Sequence, residues 1–304
     1  MTCSILQNFP VPEYKLMPQP VAVVCHDAGA ANIILAEIQS APEVNYLPVM
    51  QGPAAKLWLD NGRDQSAVVT LDTALLTARS VLTGTGWASD IEHVARQRAK
   101  AMGLISVALI DHWVNYAARF QRNDTRMLPD ELWVTDEYAF EIASATFGGQ
   151  AIRLLPNRYL DKQVQNIPPL SGLTTDQLLY VLEPLRFSWP GCNQPGEFVA
   201  LDYFVKNLRK IESKHTLRIR LRPHPSDAAD KYTAWLARNA EHNFTIDNSA
   251  SLTDAISRSE WVAGCETAAM VVALGAGRKV LSTLPPEAPR CRLPHAGIFH
   301  LRDL

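Results

Sequence analysis

Short apolar segments rich in β-branched residues alternate with helix-like segments along most of this chain, which restricts its fold more than any other feature. The first apolar segment, Val21–Cys25, ends at the polar turn His26–Gly29, and a helical pattern then continues through Ile38. This alternation predicts an α/β protein in which helices cover both faces of parallel sheets. The predicted strands are 21–25, 46–50, 80–83, 106–110, 131–135, 177–182, 217–221, 244–247, 260–263 and 279–283.

The alternation lapses between Leu155 and Thr175, where prolines and Ser171-Gly172 are typical of a linker. The length of 304 residues suits two domains. We predict two Rossmann-like domains with parallel sheets and a ligand cleft between them. The first would span 1–170, of which 1–19 form a proline-rich arm, and the second 171–304.

The overall charge excludes some partners. The 29 Lys and Arg nearly balance the 31 Asp and Glu, so no field is expected that would attract nucleic acid. Five scattered cysteines match neither a disulfide framework nor a zinc site, and no signal peptide or membrane-spanning run is present. We expect a cytoplasmic protein, and peripheral association with a membrane-bound acceptor stays compatible with this.

Metal and cofactor motifs are also missing from the sequence. There is no P-loop and no close group of metal-ligating residues. The Gly84-Thr-Gly86 segment lacks the third glycine of a dinucleotide fingerprint. We therefore expect neither a metal nor a cofactor, with any nucleotide acting as substrate.

Two loops in the second half carry the strongest signals for a nucleotide site. Prolines flank His224 in the segment Arg222-Pro-His-Pro-Ser226, which stiffens the loop at an expected helix entrance. In Gly264-Cys-Glu-Thr267, Glu266 is a candidate for the ribose hydroxyls, and Thr267 with nearby N–H groups for phosphate. Alternatively, Ser226 and Thr267 only cap helices and His224 only packs.

Three arginines alternate along the strand that precedes the first loop. Arg218, Arg220 and Arg222 share one strand face. That face is either a solvated edge or the rim of a phosphate site.

With these residues in view, the segment from about Gln177 to Leu284 resembles the C-terminal domain of GT-B glycosyltransferases. The match is to bacterial capsule-type transferases with a His-Pro motif, at His224-Pro225 and Glu266-Thr267. The resemblance implies that Arg222, His224, Ser226, Glu266 and Thr267 hold the nucleotide, and that catalysis needs no metal. The few residues after Leu284 depart from many such transferases, whose chain returns to the first domain.

The first half would then supply the acceptor site and the general base, which takes a proton from the acceptor hydroxyl. Asp27 is the first candidate because the adjoining Gly29 lets a ligand approach closely, and Asp111 is the second. His26 and His112 stand beside these acids and suit the same role. Alternatively, both carboxylates are structural or capping groups.

Four further polar residues complete the predicted acceptor site. They are Asn32 after the first turn, and Asn115, Tyr116 and Arg119 after Asp111. We interpret the last three as sugar or carboxylate contacts rather than core residues, although part of this cluster would be plain surface.

The resemblance implies a glycosyltransferase that moves a sugar from a nucleotide-sugar to a carbohydrate or lipid-linked glycan acceptor in surface glycan synthesis. The resemblance favours a CMP-activated acidic sugar, whose carboxylate Arg119 or Arg222 would bind. The same architecture also serves nucleotide-sugar hydrolases and 2-epimerases, so these stay open. A non-catalytic nucleotide-sugar-binding partner in a biosynthetic complex is the third interpretation.

Overall fold

The computed structural model describes residues 17–170, 177–211 and 217–304. The chain divides into two compact units, Met1–Tyr159 and Leu160–Leu304. The domain boundary predicted from the sequence lies later, after residue 170. Ser171 and Gly172 of the predicted linker lie outside the described residues. Most of the proline-rich arm, residues 1–16, lies outside them as well.

The N-terminal unit contains a six-stranded, fully parallel sheet in the order β2-β1-β3-β4-β7-β8. Its strands are β1 (Val21–Cys25), β2 (Tyr46–Met50), β3 (Ser80–Thr83), β4 (Ile105–Leu109), β7 (Glu131–Val134) and β8 (Ala151–Leu154), and β5 (Gln121–Arg122) and β6 (Thr125–Arg126) form a small antiparallel ribbon. Its helices are α1 (Ala28–Ser40), α2 (Gly52–Asp60), α3 (Leu71–Thr77), α4 (Ile91–Ala101), α5 (Tyr116–Arg119) and α6 (Glu137–Thr146), and α7 (Arg158–Gln165) follows.

The C-terminal unit contains a second six-stranded parallel sheet, in the order β11-β10-β9-β12-β13-β14. Its strands are β9 (Gln177–Val181), β10 (Arg218–Arg222), β11 (Phe244–Ile246), β12 (Trp261–Gly264), β13 (Lys279–Ser282) and β14 (Ile298–His300). Its helices are α8 (Gly196–Lys206), α9 (Leu208–Ile211), α10 (Thr233–Arg238), α11 (Leu252–Ser257) and α12 (Ala268–Gly275).

Each sheet is doubly wound, and its strand order reverses at one point. In the N-terminal unit the reversal lies between β1 and β3, and in the C-terminal unit between β9 and β12. Ligands of such sheets bind beside the carboxyl ends of the strands at this switch point. The predicted α/β architecture of two Rossmann-like domains with parallel sheets is confirmed.

The central strands are buried on both faces, as parallel strands between helices must be. All five residues of β1 and all four of β3 are buried. The C-terminal core packs β9 and β10 against α8 and α10, and includes Phe204, Tyr232 and Trp235. These apolar runs fix the sheets and leave the loops at the strand ends to the polar residues.

Three parts of the pattern differ from the sequence prediction. Strands β8 and β14, which were not predicted, lie at sheet edges, are only four and three residues long, and are mostly not buried. The helix expected directly after Ser226 begins only at Thr233, after two turns. Strand β10 pairs on both sides, with β9 and β11, so its three arginines do not form a solvated sheet edge.

No helix in the three described segments has the length and apolar character needed to cross a bilayer.

Candidate active site

A histidine and an aspartate follow β1 at the switch point of the N-terminal unit. Nδ1 of His26 and Oδ1 of Asp27 lie 2.7 Å apart. Because a carboxylate oxygen accepts, Nδ1 of His26 donates, and in the neutral ring Nε2 then carries the lone pair. Asp27 stands at the N-cap of α1 but makes no capping bond with its side chain, so its carboxylate serves His26 instead.

Glycines make room for this His26–Asp27 pair. A Cβ on Gly86 would lie 2.0 Å from Oδ2 of Asp27, and a Cβ on Gly52 would lie 2.5 Å from Nε2 of His26. Gly52 also has a φ of +51°, which favours glycine. The His26 side chain is 19% exposed, and within the described residues its Nε2 makes no hydrogen bond. The pair thus presents an oriented basic nitrogen.

Asp111, the second candidate base, is held in an ion pair. Nη1 of Arg119 donates to Oδ1 of Asp111 at 2.8 Å and to Oγ1 of Thr85 at 3.1 Å, and Nε donates to the carbonyl of Val114 at 3.0 Å. A Cβ on Gly29 would lie 1.8 Å from Oδ2 of Asp111, so this glycine admits the carboxylate to the start of α1. Gly29 therefore makes room for an internal carboxylate.

Three further predicted residues of this half, His112, Asn115 and Asn32, lie in the loop after β4 and on α1. Nδ1 of His112 accepts from the backbone N–H of Trp113 at 2.9 Å. Asn115 has a φ of +61°, in the left-handed region, before the short helix α5. Asn32 is half-buried on α1.

Tyr116 and Arg119 are core residues, contrary to the sequence interpretation. Tyr116 is 3% exposed and stacks on Phe147, and Arg119 is 6% exposed. Burial raises the pKa of Tyr116 above its usual range. Tyr116 and Arg119 turn inward where α5 packs on α6, whereas Asn115 is exposed, and the sequence of a four-residue helix shows no periodicity that would predict this.

A glutamate that the sequence analysis did not single out connects two loops at this switch point. Glu92, fully buried on α4, accepts from the backbone N–H of His26 at 3.0 Å and from that of Gly86 at 2.6 Å. Burial raises the pKa of Glu92, against the lowering effect of these two bonds. The backbone N–H groups of His26 and Gly86 thus bind a carboxylate of the chain itself.

An exposed tryptophan is the second residue that sequence reasoning missed. Trp87 is 48% exposed, in the loop after β3. The Arg119 guanidinium lies 5.3 Å from its ring centroid. Trp87 thus offers an exposed aromatic face at the carboxyl end of the sheet, beside the Arg119 guanidinium.

In the C-terminal unit, His224 lies in an exposed turn after β10. Its Nδ1 accepts from the backbone N–H of Ser226 at 3.2 Å and lies 2.8 Å from the Ser226 hydroxyl. Partial desolvation of the ring lowers the pKa of His224, and the charges of Arg186 and Lys231 lower it further, against Asp227. The neutral ring therefore carries its hydrogen on Nε2 and offers a donor. Ser226 supports this ring rather than capping a helix.

Arg186 adds a cation to this turn. Its Nη2 donates to the carbonyl of Ser226 at 3.2 Å and to the hydroxyl at 3.0 Å. Its side chain is 61% exposed. The turn around His224 thus combines a neutral N–H donor with an accessible guanidinium, which together suit a phosphate oxygen.

Arg222 is tied to an internal carboxylate. Nη1 of Arg222 donates to Oδ2 of Asp247 at 2.6 Å, and Nη1 of Arg220 donates to Oδ1 at 2.5 Å. The Asp247 side chain is buried. One carboxylate therefore serves two of the three alternating arginines.

Glu266 and Thr267 lie at the start of α12. Glu266 forms a bidentate ion pair with Arg292. Nε of Arg292 donates to Oε2 of Glu266 at 3.2 Å, and Nη2 donates to Oε1. The hydroxyl of Thr267, the N-cap residue, accepts from the backbone N–H of Ala269 at 3.3 Å. The capping alternative for Thr267 is therefore realised.

A second glutamate, the half-buried Glu183, occupies the backbone N–H donors at this point. Oε1 of Glu183, in the loop after β9, accepts from the N–H groups of Cys265 at 2.9 Å and Glu266 at 2.8 Å. Burial raises the pKa of Glu183 to about 7, although these hydrogen bonds lower it. The N–H groups that the sequence assigned to phosphate thus bind a carboxylate of the chain itself.

No protein-family model matches the chain, and no curated protein sequence matches it. Solved structures share its fold. One is the UDP-GlcNAc 2-epimerase of Methanocaldococcus jannaschii in complex with UDP-GlcNAc and UDP, with a TM-score of 0.56, 9% identity, and coverage of 86% of this chain and 83% of that one. The Neisseria meningitidis UDP-GlcNAc 2-epimerase bound to UDP-GlcNAc has a TM-score of 0.57, 12% identity, and coverage of 86% and 82%.

The glycotransferase of kitacinnamycin is a third similar structure, with a TM-score of 0.50, 11% identity, and coverage of 89% of this chain and 81% of that one. Identities this low establish the fold alone. The chain has the two-domain, Rossmann-like GT-B fold that these nucleotide-sugar enzymes share.

Proposed function

We propose that this protein is a glycosyltransferase that moves a sugar from a nucleotide-sugar to a carbohydrate hydroxyl, with His26 as general base. The observation that carries the proposal is the His26–Asp27 pair at a switch point of a GT-B fold. Asp27 fixes the hydrogen on Nδ1 and leaves Nε2 as the acceptor, which is the orientation that a histidine base needs. Asp111, by contrast, is already paired with Arg119.

In the proposed transfer, Nε2 of His26 takes the proton of the acceptor hydroxyl as its oxygen attacks the anomeric carbon. The bond from that carbon to the donor phosphate breaks, and the nucleotide leaves with the electron pair. Asp27 stabilises the imidazolium that forms. This assignment replaces Asp27 as the base and makes it the positioning residue for His26.

The nucleotide is proposed to bind the C-terminal unit at the turn around His224. Nε2–H of His224 and the Arg186 guanidinium are donors for phosphate oxygens, and they supply the anion site that the N–H groups held by Glu183 do not. Glu266 and Arg222 remain candidate nucleotide contacts through the edges of their ion pairs.

The acceptor sugar is proposed to lie on Trp87, whose exposed indole offers an apolar face of the size of a pyranose ring. Asn32, half-buried on α1, and Asn115 remain candidate contacts there. Arg119 and Arg222 both donate to internal carboxylates, so nothing in their surroundings favours an acidic sugar.

A 2-epimerase is the second candidate, because structures of this fold include UDP-GlcNAc 2-epimerases with UDP-GlcNAc bound. His26 would then remove the proton from C2 of the donor sugar instead of from an acceptor. A hydrolase differs only in using water as the acceptor.

Thermal unfolding with CMP, UDP, GDP and dTDP tests the proposal first. A ligand at 100 times its Kd adds about 2.7 kcal/mol to stability. The sugar conjugate of the stabilising nucleotide is then incubated alone and with methyl glycosides, and its products are followed by NMR. Glycoside formation supports the transferase, and a C2 epimer formed without acceptor selects the epimerase. No stabilisation by any nucleotide contradicts both.

A further inference from the structure

A cavity of about 570 Å³ opens in the N-terminal unit at the amino end of the edge strand β2. Its lining includes Val44 and Tyr46 at the start of β2 and Ile38 near the end of α1. The His26–Asp27 pair follows the carboxyl end of β1. Because β1 and β2 are parallel, the pair and the cavity lie at opposite ends of these strands. The cavity is therefore separate from the candidate active site, and its volume is typical of a small-molecule pocket.

Two aromatic side chains, Trp58 and Tyr46, take part in the lining. Trp58, on α2, is almost fully buried, and its indole N–H donates to the carbonyl of Asp64 at 2.9 Å. Tyr46 lines the cavity as well. Trp58 is thus fixed in orientation by a hydrogen bond that leaves the faces of its ring for packing.

A guanidinium lies over this ring. The centre of the Arg63 guanidinium lies 5.0 Å from the Trp58 ring centroid. Stacking on the indole provides a cation–π contact but satisfies none of the N–H donors. Arg63 therefore enters the cavity as a positive charge on an aromatic wall.

The Arg63 side chain has no hydrogen-bond or ion-pair partner within the described residues. Its Nε is buried and makes no hydrogen bond. The neighbouring Asp64 is engaged elsewhere, because its carboxylate accepts from the backbone N–H of Ser66 at 2.8 Å and from the Ser66 hydroxyl at 2.5 Å. Desolvation lowers the pKa of Arg63. The half-buried Arg63 therefore has a buried Nε–H without the acceptor that such groups ordinarily have, and the Asp64 carboxylate, which also lines the cavity, is bound to Ser66 instead.

We propose that this cavity is a binding site for a small aromatic carboxylate, which pairs with Arg63 and packs its ring among the apolar side chains beside Trp58. A carboxylate accepts from Nε and a terminal nitrogen of one guanidinium together, which satisfies the buried donor. The planar, apolar body of the ligand matches the aromatic and proline lining. This inference does not depend on the proposed function.

Benzoate is the probe, and benzyl alcohol is its neutral control of similar shape. The full chain, labelled with ¹⁵N, is titrated at millimolar concentrations while the Arg63 Nε–H and Trp58 indole N–H signals are followed by NMR. The Arg63→Gln variant assigns the arginine signal by its loss. Arg126→Gln is the matched variant, because Arg126 also lies over an aromatic ring, that of Phe147, but is exposed.

We expect benzoate to shift both signals in the unaltered protein and in Arg126→Gln. Benzyl alcohol should bind at least about tenfold more weakly than benzoate. Arg63→Gln should weaken benzoate binding by a similar factor, measured from the shift of the Trp58 indole N–H signal. The proposal is overturned if benzoate leaves both signals in place. It also falls if benzyl alcohol binds equally well, or if Arg63→Gln keeps the affinity for benzoate.

Discussion

Each unit of this protein holds a glutamate at the switch point of its parallel sheet, fully buried Glu92 in one and half-buried Glu183 in the other, and the two lie in different chemical surroundings. Glu92 accepts from the backbone N–H groups of His26 and Gly86, and Glu183 from those of Cys265 and Glu266. In many Rossmann-like proteins such N–H groups hold phosphate. Here an internal carboxylate takes them in each unit, so side chains must supply any anion site.

The two sites differ in what stands beside the glutamate. An oriented His26–Asp27 pair lies next to Glu92, and glycines leave space around both side chains. Beside Glu183 lie the buried Cys265 thiol and the buried Tyr180 phenol, and desolvation by burial raises the pKa of both groups. The first arrangement is suited to moving a proton, and the second to a fixed structural connection.

The largest expected effect is on turnover in the N-terminal unit. His26→Ala should lower kcat about 10²- to 10⁴-fold, because that is the usual contribution of a general base. His112→Ala, at a histidine whose Nδ1 accepts from the backbone N–H of Trp113, is the control and should stay close to the unaltered rate. Equal decreases of kcat in the two variants would show that His26 is not the general base.

The pH dependence of stability tests the C-terminal glutamate. Burial raises the pKa of Glu183 from 4.5 to about 7, so the folded state favours the protonated form. Glu183 therefore contributes about 3 kcal/mol to the free energy of unfolding below pH 4.5, and this contribution is lost as the pH rises through about 7. Urea unfolding across this range should show the loss, and Glu183→Gln should remove it.

The control for that experiment is Glu287→Gln, since Glu287 is exposed. Its pH profile should match that of the unaltered protein. A Glu183→Gln profile that also matches would mean that Glu183 titrates equally in the folded and unfolded chain.

Gly86→Ala tests the space around the His26–Asp27 pair. The added Cβ would lie 2.0 Å from Oδ2 of Asp27 and should push the carboxylate off His26. Misplacement of about 1 Å near a reacting group costs about a hundredfold in rate, so kcat should fall by roughly that factor. Gly148→Ala, where no atom lies within 4 Å of the new Cβ, should leave kcat unchanged. A normal rate in Gly86→Ala would show that Asp27 need not hold His26.

The smallest expected effect is on acceptor binding. Trp87→Ala should raise KM for a saccharide acceptor about fivefold, which corresponds to roughly 1 kcal/mol of ring contact, and leave kcat nearly unchanged. Trp87→Phe should restore most of the affinity, and Leu76→Ala, at another exposed apolar residue, should have no effect. An unchanged KM in Trp87→Ala would place the acceptor elsewhere.

The sequence predicted the sheets better than the site. Strands β1, β2 and β3 have the predicted bounds because buried parallel strands are continuous apolar runs. The loops after them were identified because polar residues and glycines interrupt those runs. Which of these residues pair with each other was not predictable, since a contact such as Arg119 with Asp111 depends on the course of a four-residue helix.

The glutamates were missed for a related reason. Glu92 stands in the first turn of α4, where an acidic residue is usual at any helix start. Glu183 follows β9 as one polar residue before a proline. Their role depends on backbone N–H groups of a neighbouring loop, 66 residues away for His26 and 82 for Cys265, and the identity of a residue does not reveal where its backbone donates.

Calorimetric titration of the stabilising nucleotide into the unaltered protein, His26→Ala and His224→Ala tests the division of roles between the two units most directly. The account predicts that His224→Ala loses about 1–3 kcal/mol of affinity, as for a hydrogen bond to a charged group, while His26→Ala binds as the unaltered protein does. Loss of nucleotide binding in His26→Ala with full affinity in His224→Ala would contradict it.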